Sequence, residues 1–216
     1  MTTVTTHTLA QDVGQECSIK LPAIHFTSCL NGAQHNAVVQ GERVTLKSGA
    51  RKDYFNDPDG KLSNNTAPVL LAQVDNSKPF TLTAKVTPEF KAKYDAGALY
   101  LFASEQLWQK FAFELDERGV TRIVSVRTIG TSDDNNHQSL AQPAAYLKIS
   151  SDTRTVGLYY SADKLQWHLA RLYKNDFPAQ LRVGVSAQSP VGEGSASTFE
   201  QVSLRQESVK DFRLGL

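Results

Sequence analysis

From residue 37 onward, apolar positions come in short bursts of β-branched and aromatic residues, interrupted by Gly, Asp, Asn, Pro and Ser. Bursts of this length separated by turn residues read as strands, whereas a helix needs a 3.6-residue period sustained over three turns. The pattern predicts strands over 37–40, 43–48, 70–74, 80–86, 98–103, 109–115, 121–129, 144–150, 155–161, 166–172, 181–187 and 199–205, and no long helix. Gly41-Glu42, Asp59-Gly60, Arg118-Gly119, Ala162-Asp163 and Gly192-Glu193-Gly194 supply the turns. Strands joined by hairpins without helical crossovers pair antiparallel and bury their apolar faces in two layers. The expected fold is therefore all-β, a two-sheet antiparallel jelly-roll sandwich. Residues 1–30 read as an N-terminal extension whose Ile19, Leu21, Ile24 and Phe26 would extend or clasp the sandwich, and residues 31–216 as one domain. The polar run Thr131 to Gln138 reads as a solvated loop, and the last dozen residues show no decisive pattern.

Side chains alternate across a strand, so each strand splits into two sets. Between Trp108 and Leu115, Phe111, Phe113 and Leu115 form a core set, which leaves Trp108, Lys110, Ala112 and Glu114 on the other face. Leu99 and Leu101 read as core beside Tyr100 on the opposite face; Val124 and Val126 read as core, which puts Arg127 opposite. If these strands are neighbours, one face carries Tyr100, Trp108, Lys110, Glu114 and Arg127. Rings that stack on a pyranose beside charged groups that satisfy its hydroxyls make a sugar site. The plainer reading is a solvent face with Glu–Lys and Glu–Arg pairs.

Composition narrows the classes. Of 216 residues 40% are hydrophobic, which fits a globular chain, and 23 basic residues against 22 acidic ones leave a net charge of +1. No basic field exists to hold nucleic acid. The longest apolar runs, 67–72 and 98–103, are far short of a membrane span. The first Lys is Lys20, so no basic segment opens a secretory leader, and a cytoplasmic protein with Cys17 and Cys29 as free thiols is expected. On that expectation the acceptor pattern Asn64-Asn65-Thr66 is fortuitous.

Motifs for chemistry mostly fail. Glu114-Leu115-Asp116-Glu117 resembles an acidic glucanase strand, but Glu117 falls on the wrong face and Arg118-Gly119 turns the chain. Asp57-Pro58-Asp59-Gly60 lacks the remaining ligands of a calcium loop, and the five histidines and two cysteines fall at no zinc spacing. No metal and no cofactor is expected. Gly184 to Gln188 lacks the second glycine of a nucleophile elbow.

Several segments, in order, resemble a family of mostly uncharacterised bacterial and fungal proteins named after a yeast regulator of enolase, in the concanavalin A-like lectin/glucanase superfamily. They are Leu46-Lys47-Ser48-Gly49 leading into Lys52-Asp53-Tyr54-Phe55, Phe80 to Val86, Tyr94 to Leu99 and Trp108 to Glu114. Tyr160 to Asp163 with Trp167, Val183-Gly184-Val185 and Ser189-Pro190 complete the set. Where that family typically has Asp-Phe-Trp, this chain has Asp53-Tyr54-Phe55. The resemblance spans roughly residues 38–205, implies the jelly-roll sandwich, and brings no catalytic residues with it. Asp53, Tyr54 and Phe55 are either a wall of the same cleft or a plug of its end. Trp167 alternates with Leu169 and reads as packing. Three functions follow in order: a non-catalytic protein binding a sugar or oligosaccharide; a regulatory partner of a metabolic enzyme; and a glycoside hydrolase or lyase using Glu114 and Asp116.

Overall fold

The computed structural model describes residues 14–216. In chain order the strands are β1 (Gln15–Leu21), β2 (Ile24–Leu30), β3 (Ala37–Gln40), β4 (Arg43–Gly49), β5 (Tyr54–Asn56), β6 (Ser63–Asn65), β7 (Val69–Asp75), β8 (Phe80–Pro88) and β9 (Ala96–Ser104). They continue as β10 (Leu107–Leu115), β11 (Thr121–Ile129), β12 (Thr131–Ser139), β13 (Ala145–Ser151), β14 (Thr155–Ser161), β15 (His168–Lys174), β16 (Gln180–Gln188) and β17 (Gly194–Arg205). One short helix, α1 (Ala33–Asn36), links β2 to β3.

Eight strands form one sheet in the order β1-β2-β7-β16-β9-β10-β11-β12, and seven form the other in the order β15-β14-β13-β8-β17-β4-β3. Their pairings are antiparallel throughout, as hairpin connections require. Leu99, Leu101, Phe111, Phe113, Val183 and Val185 of the first sheet meet Phe80, Leu82, Leu147, Ile149, Leu158 and Phe199 of the second in one buried core. β16 can lie close against β7 because position 184 has no side chain: a Cβ there would sit 1.8 Å from the Leu70 carbonyl oxygen.

Two expectations are corrected here. The polar run 131–138 is the edge strand β12, paired with β11 through a tight turn at Gly130, whose φ is 73°. Its backbone is satisfied on one side by the ladder, and polar side chains on both faces suit an edge. Cys17 and Cys29 are not free: they are joined by a disulfide that staples the β1–β2 hairpin at the other edge of the same sheet. The C-terminal residues dock on the outer face of the second sheet, where Tyr159 donates to the Phe212 carbonyl and Lys148 to that of Gly215.

Candidate functional site

The eight-stranded sheet has a second apolar layer on its outer face. Tyr54, Tyr100, Phe102, Trp108, Ala112, Val124 and Val126 cluster there beneath the two-stranded β5–β6 hairpin. Tyr54 hangs from β5 with its ring edge-on to Tyr100, Phe102 and Trp108, centroids 5.8–6.2 Å apart. Trp108 caps this layer by donating its indole N–H to the Glu105 carbonyl.

Residues directly opposite on neighbouring strands share a face, so register decides which side chains meet. One row across the sheet reads Gly184, Tyr100, Lys110, Val126, Asp134. A second row reads Gln188, Ala96, Glu114, Arg122. Ala96 is small, so Gln188 reaches over it to donate to Glu114 Oε2 at 3.1 Å. The row between holds Ser186, Ala98, Ala112 and Val124, small residues that leave space above the sheet.

A cavity of about 380 Å³ occupies that space. Asp53, Phe55, Leu62 and Asn64 wall it from the hairpin side, Tyr94, Pro190 and Val191 from adjoining loops, and Lys110, Glu114, Val124, Val126, Asp134 and Gln188 from the sheet. At its floor the Lys110 ammonium donates to Asp53 Oδ1 (3.1 Å), the Tyr54 carbonyl (2.9 Å) and Gln188 Oε1 (2.9 Å). Gln188 in turn donates to Glu114 and to the Tyr94 carbonyl. Burial drives the Glu114 carboxyl up to about 8 against the pull of Lys110, with Asp53 and Asp134 adding to the rise. Burial also raises Asp134, again opposed by Lys110. At neutral pH the site therefore holds a largely protonated Glu114 beside a Lys110–Asp53 ion pair. A larger, shallow depression of about 570 Å³ at the ends of β7 and β16 has no buried ionisable side chain.

The sequence-nominated residues divide. Asp53, Phe55, Lys110 and Glu114 come together in the cavity. Tyr54, Tyr100 and Trp108 lie beneath it, each at most 1% exposed, so the expectation of exposed Trp108 and Tyr100 rings is corrected. Arg127 is on the opposite face of the sheet, ion-paired with Asp176 at 3.0 Å and stacked on the Tyr173 ring of β15. The reason is parity in β11: Val124 and Val126 face the cavity, and Ser125 and Arg127 face the gap between the sheets. Asp116 stands apart from Glu114; it accepts from Arg122 at 2.6 Å and from the backbone N–H groups of Arg118 and Val120. Those bonds hold it below the usual carboxylate range despite its burial. Tyr94, Asp134 and Gln188 went unnominated. Asp134 falls in the polar run that reads as a loop, and Gln188 becomes visible only once β16 is known to lie next to β9. Among the described residues no group of three or more His, Cys, Asp or Glu could hold a metal ion.

Residues 30–207 match the family model described as "Protein of unknown function (DUF1349)". A search of curated protein sequences gave no match. The fold is similar to that of a functionally unknown protein from Saccharomyces cerevisiae, with 21% identity, a TM-score of 0.77, and coverage of 84% of this chain and 97% of that one. It is similar to the GH43 BlXynB protein from Bacillus licheniformis at 15% identity and TM-score 0.63, over 80% of this chain but 35% of that one. It is also similar to lectin I-B4 from Griffonia simplicifolia in its metal-free form, at 13% identity and TM-score 0.53, covering 79% and 90%. The chain thus spans about a third of the GH43 protein. The fold is the concanavalin A-like lectin/glucanase sandwich, and at these identities the likeness is one of fold.

Proposed function

We propose that this chain, which belongs to the DUF1349 family of proteins of unknown function, is a non-catalytic binding protein that takes a carbohydrate or sugar-derived metabolite in the cavity under the β5–β6 hairpin. The observation that carries the reading is the buried Asp53–Lys110–Gln188–Glu114 network at the floor of an apolar-walled cavity. Burying an ion pair seldom adds stability over apolar packing, so a network of this kind points to a site. Phe55 and Tyr94, both part-exposed, give the walls aromatic surface of the sort that stacks on a sugar ring, while carboxyl oxygens below accept from hydroxyls.

A non-catalytic role fits the geometry better than hydrolysis. A glycosidase needs two carboxyl groups flanking one bond, and of the pair the sequence offers, Glu114 and Asp116, Asp116 is committed to Arg122 outside the cavity. The finer kinship with proteins named for a regulator of enolase carries the competing proposal of contact with a metabolic enzyme. That function would use the surface and survive a Phe55→Ala substitution in the cavity. As to compartment, the Cys17–Cys29 disulfide favours an oxidising environment over the cytoplasm expected from sequence. Among the described residues no helix is long and apolar enough to cross a membrane.

The test is calorimetric titration of the protein with mono- and oligosaccharides, repeated with Phe55→Ala and Glu114→Gln. Binding that weakens at least about tenfold in Phe55→Ala, with an unchanged fold by circular dichroism, supports the cavity. The proposal falls if no saccharide binds the wild-type protein, or if binding is indifferent to both substitutions. Turnover of any glycoside, lost in Glu114→Gln, would replace it with hydrolysis.

A further inference from the structure

The cavity's charge is one-sided. An ammonium has three donors, and all three of Lys110 are used within the protein, on Asp53, the Tyr54 carbonyl and Gln188. Both N–H donors of the Gln188 amide are used as well, on Glu114 and the Tyr94 carbonyl. The cavity's one cation therefore offers nothing to a ligand. What carries unpaired charge is on the acceptor side: Asp53 Oδ2 and the Asp134 carboxylate have no protein side-chain partner among the described residues, whereas the remaining donors that line the cavity, on Asn64, Tyr94 and the protonated Glu114, are neutral. Glu114, which lines the cavity, is itself only 7% exposed.

The charge balance runs the same way. Lys110 and Asp53 offset one another at 3.1 Å. Asp134, on the same row of the sheet as Lys110, has no ion-pair partner among the described residues. Its carboxylate faces a cavity otherwise walled by Phe55, Leu62, Val124, Val126, Pro190 and Val191. An anionic ligand would enter against Asp134 with no free cation to meet it, and would leave its own oxygens without a charged donor. A ligand ammonium would supply the missing counter-charge and donate to the open acceptors.

We infer that the cavity selects saccharides bearing a free basic amine and rejects phosphorylated or carboxylated ones. The inference rests on the carbohydrate reading and narrows it. Asp134 is the residue assigned to the amine, with Asp53 Oδ2 accepting from the same ammonium or from a neighbouring hydroxyl and the protonated Glu114 carboxyl donating to one.

The test is titration at about pH 6, where an α-amino-type ammonium with a pKa of about 7.7–8.0 is charged. The probes are glucosamine and chitosan oligomers, their hydroxyl counterparts glucose and cello-oligomers, N-acetylglucosamine, glucose 6-phosphate and glucuronate. The amine probes are expected to bind roughly tenfold tighter than the hydroxyl and N-acetyl counterparts, a preference between the aqueous and partly desolvated limits for one ion pair. The two anionic probes should not bind. Asp134→Asn, on the edge strand β12, should bring the amine and hydroxyl probes to within about twofold of one another, with the fold checked by circular dichroism. Hydroxyl sugars that match the amines, an anionic sugar that binds, or an amine preference that survives Asp134→Asn would overturn the inference and leave the carbohydrate reading standing. Silence from every probe, confirmed with a larger oligosaccharide array, would sink both.

Discussion

Replacing Lys110 by Met keeps the length of the side chain and deletes its charge. The Lys110 side chain is 3% exposed and that of its partner Asp53 16%. The ammonium serves three acceptors at once, so its loss removes a donor from the part-buried Asp53 carboxylate, from the Tyr54 carbonyl and from the Gln188 carbonyl oxygen together. Asp53 keeps only the 2.7 Å bond from the Tyr54 N–H. Breaking a buried pair from one side typically costs about 3–5 kcal/mol, because an uncompensated charge stays behind. For a chain of this size each kcal/mol moves the melting temperature by about 2–4 °C, so a fall of roughly 10 °C is expected. Urea denaturation should show the loss as a lower midpoint with an unchanged slope. Asp53→Asn in the same background should recover part of it, with a coupling of about 1–3 kcal/mol across the double-mutant cycle. A single-variant loss below about 1 kcal/mol, or additivity of the two substitutions within about 0.5 kcal/mol, would refute the claim that this network is a desolvated unit.

Other outcomes follow from the same structure. Burial holds Glu114 protonated up to about pH 8 in the folded chain against 4.5 when unfolded. The folded state therefore binds the extra proton between those values, and this contribution is complete below 4.5 and lost as pH rises through 8. Stability of the wild type relative to Glu114→Gln should decline across that window by up to about 1.4 kcal/mol per pH unit, and a flat difference would contradict it. The Cys17–Cys29 loop spans twelve residues, so reduction should cost up to about 3 kcal/mol, and a maleimide should label the native protein only after reductant. Gly184→Ala would place a methyl against the Leu70 carbonyl and should destabilise by about 3 kcal/mol or more; near-neutral behaviour in chemical denaturation would contradict that close approach. Trp108→Ala should cost about 3–5 kcal/mol as a core truncation, which makes Phe55→Ala the cleaner probe of ligand binding; a Trp108 variant as stable as wild type would place the indole outside the core.

Hydrophobic alternation by itself fixed most of the architecture. Two-residue periodicity in segments such as 80–86, 109–115 and 155–161, with turn residues between them, leaves an antiparallel sandwich as the arrangement that buries one face of each strand. It also put Phe111 and Phe113 on one side and Trp108, Lys110 and Glu114 on the other, and the sheet keeps that division. A strand's pattern could not say whether its second face meets solvent or another layer. The β5–β6 hairpin folds over Trp108 and Tyr100 through Tyr54, a tertiary contact between segments about fifty residues apart, and turns a supposed platform into a buried floor. Nor could β11 be oriented from its own residues, since Val124 and Val126 alternate as well with Ile123 and Ser125 in either direction. Register against β10 sent the valines to the cavity and Arg127 to the inter-sheet gap, where Tyr173 and Asp176 receive it. β12 carries almost no apolar signal, because an edge strand is held by its ladder rather than by burial, so Asp134 was invisible as a site residue. Gln188 joins Lys110 to Glu114 only because β16 lies beside β9, a neighbour relation between strands far apart in the chain. Local periodicity is a property of each segment and is legible there; which segments become neighbours depends on the summed burial of the whole chain, and the candidate site is made of those neighbour relations.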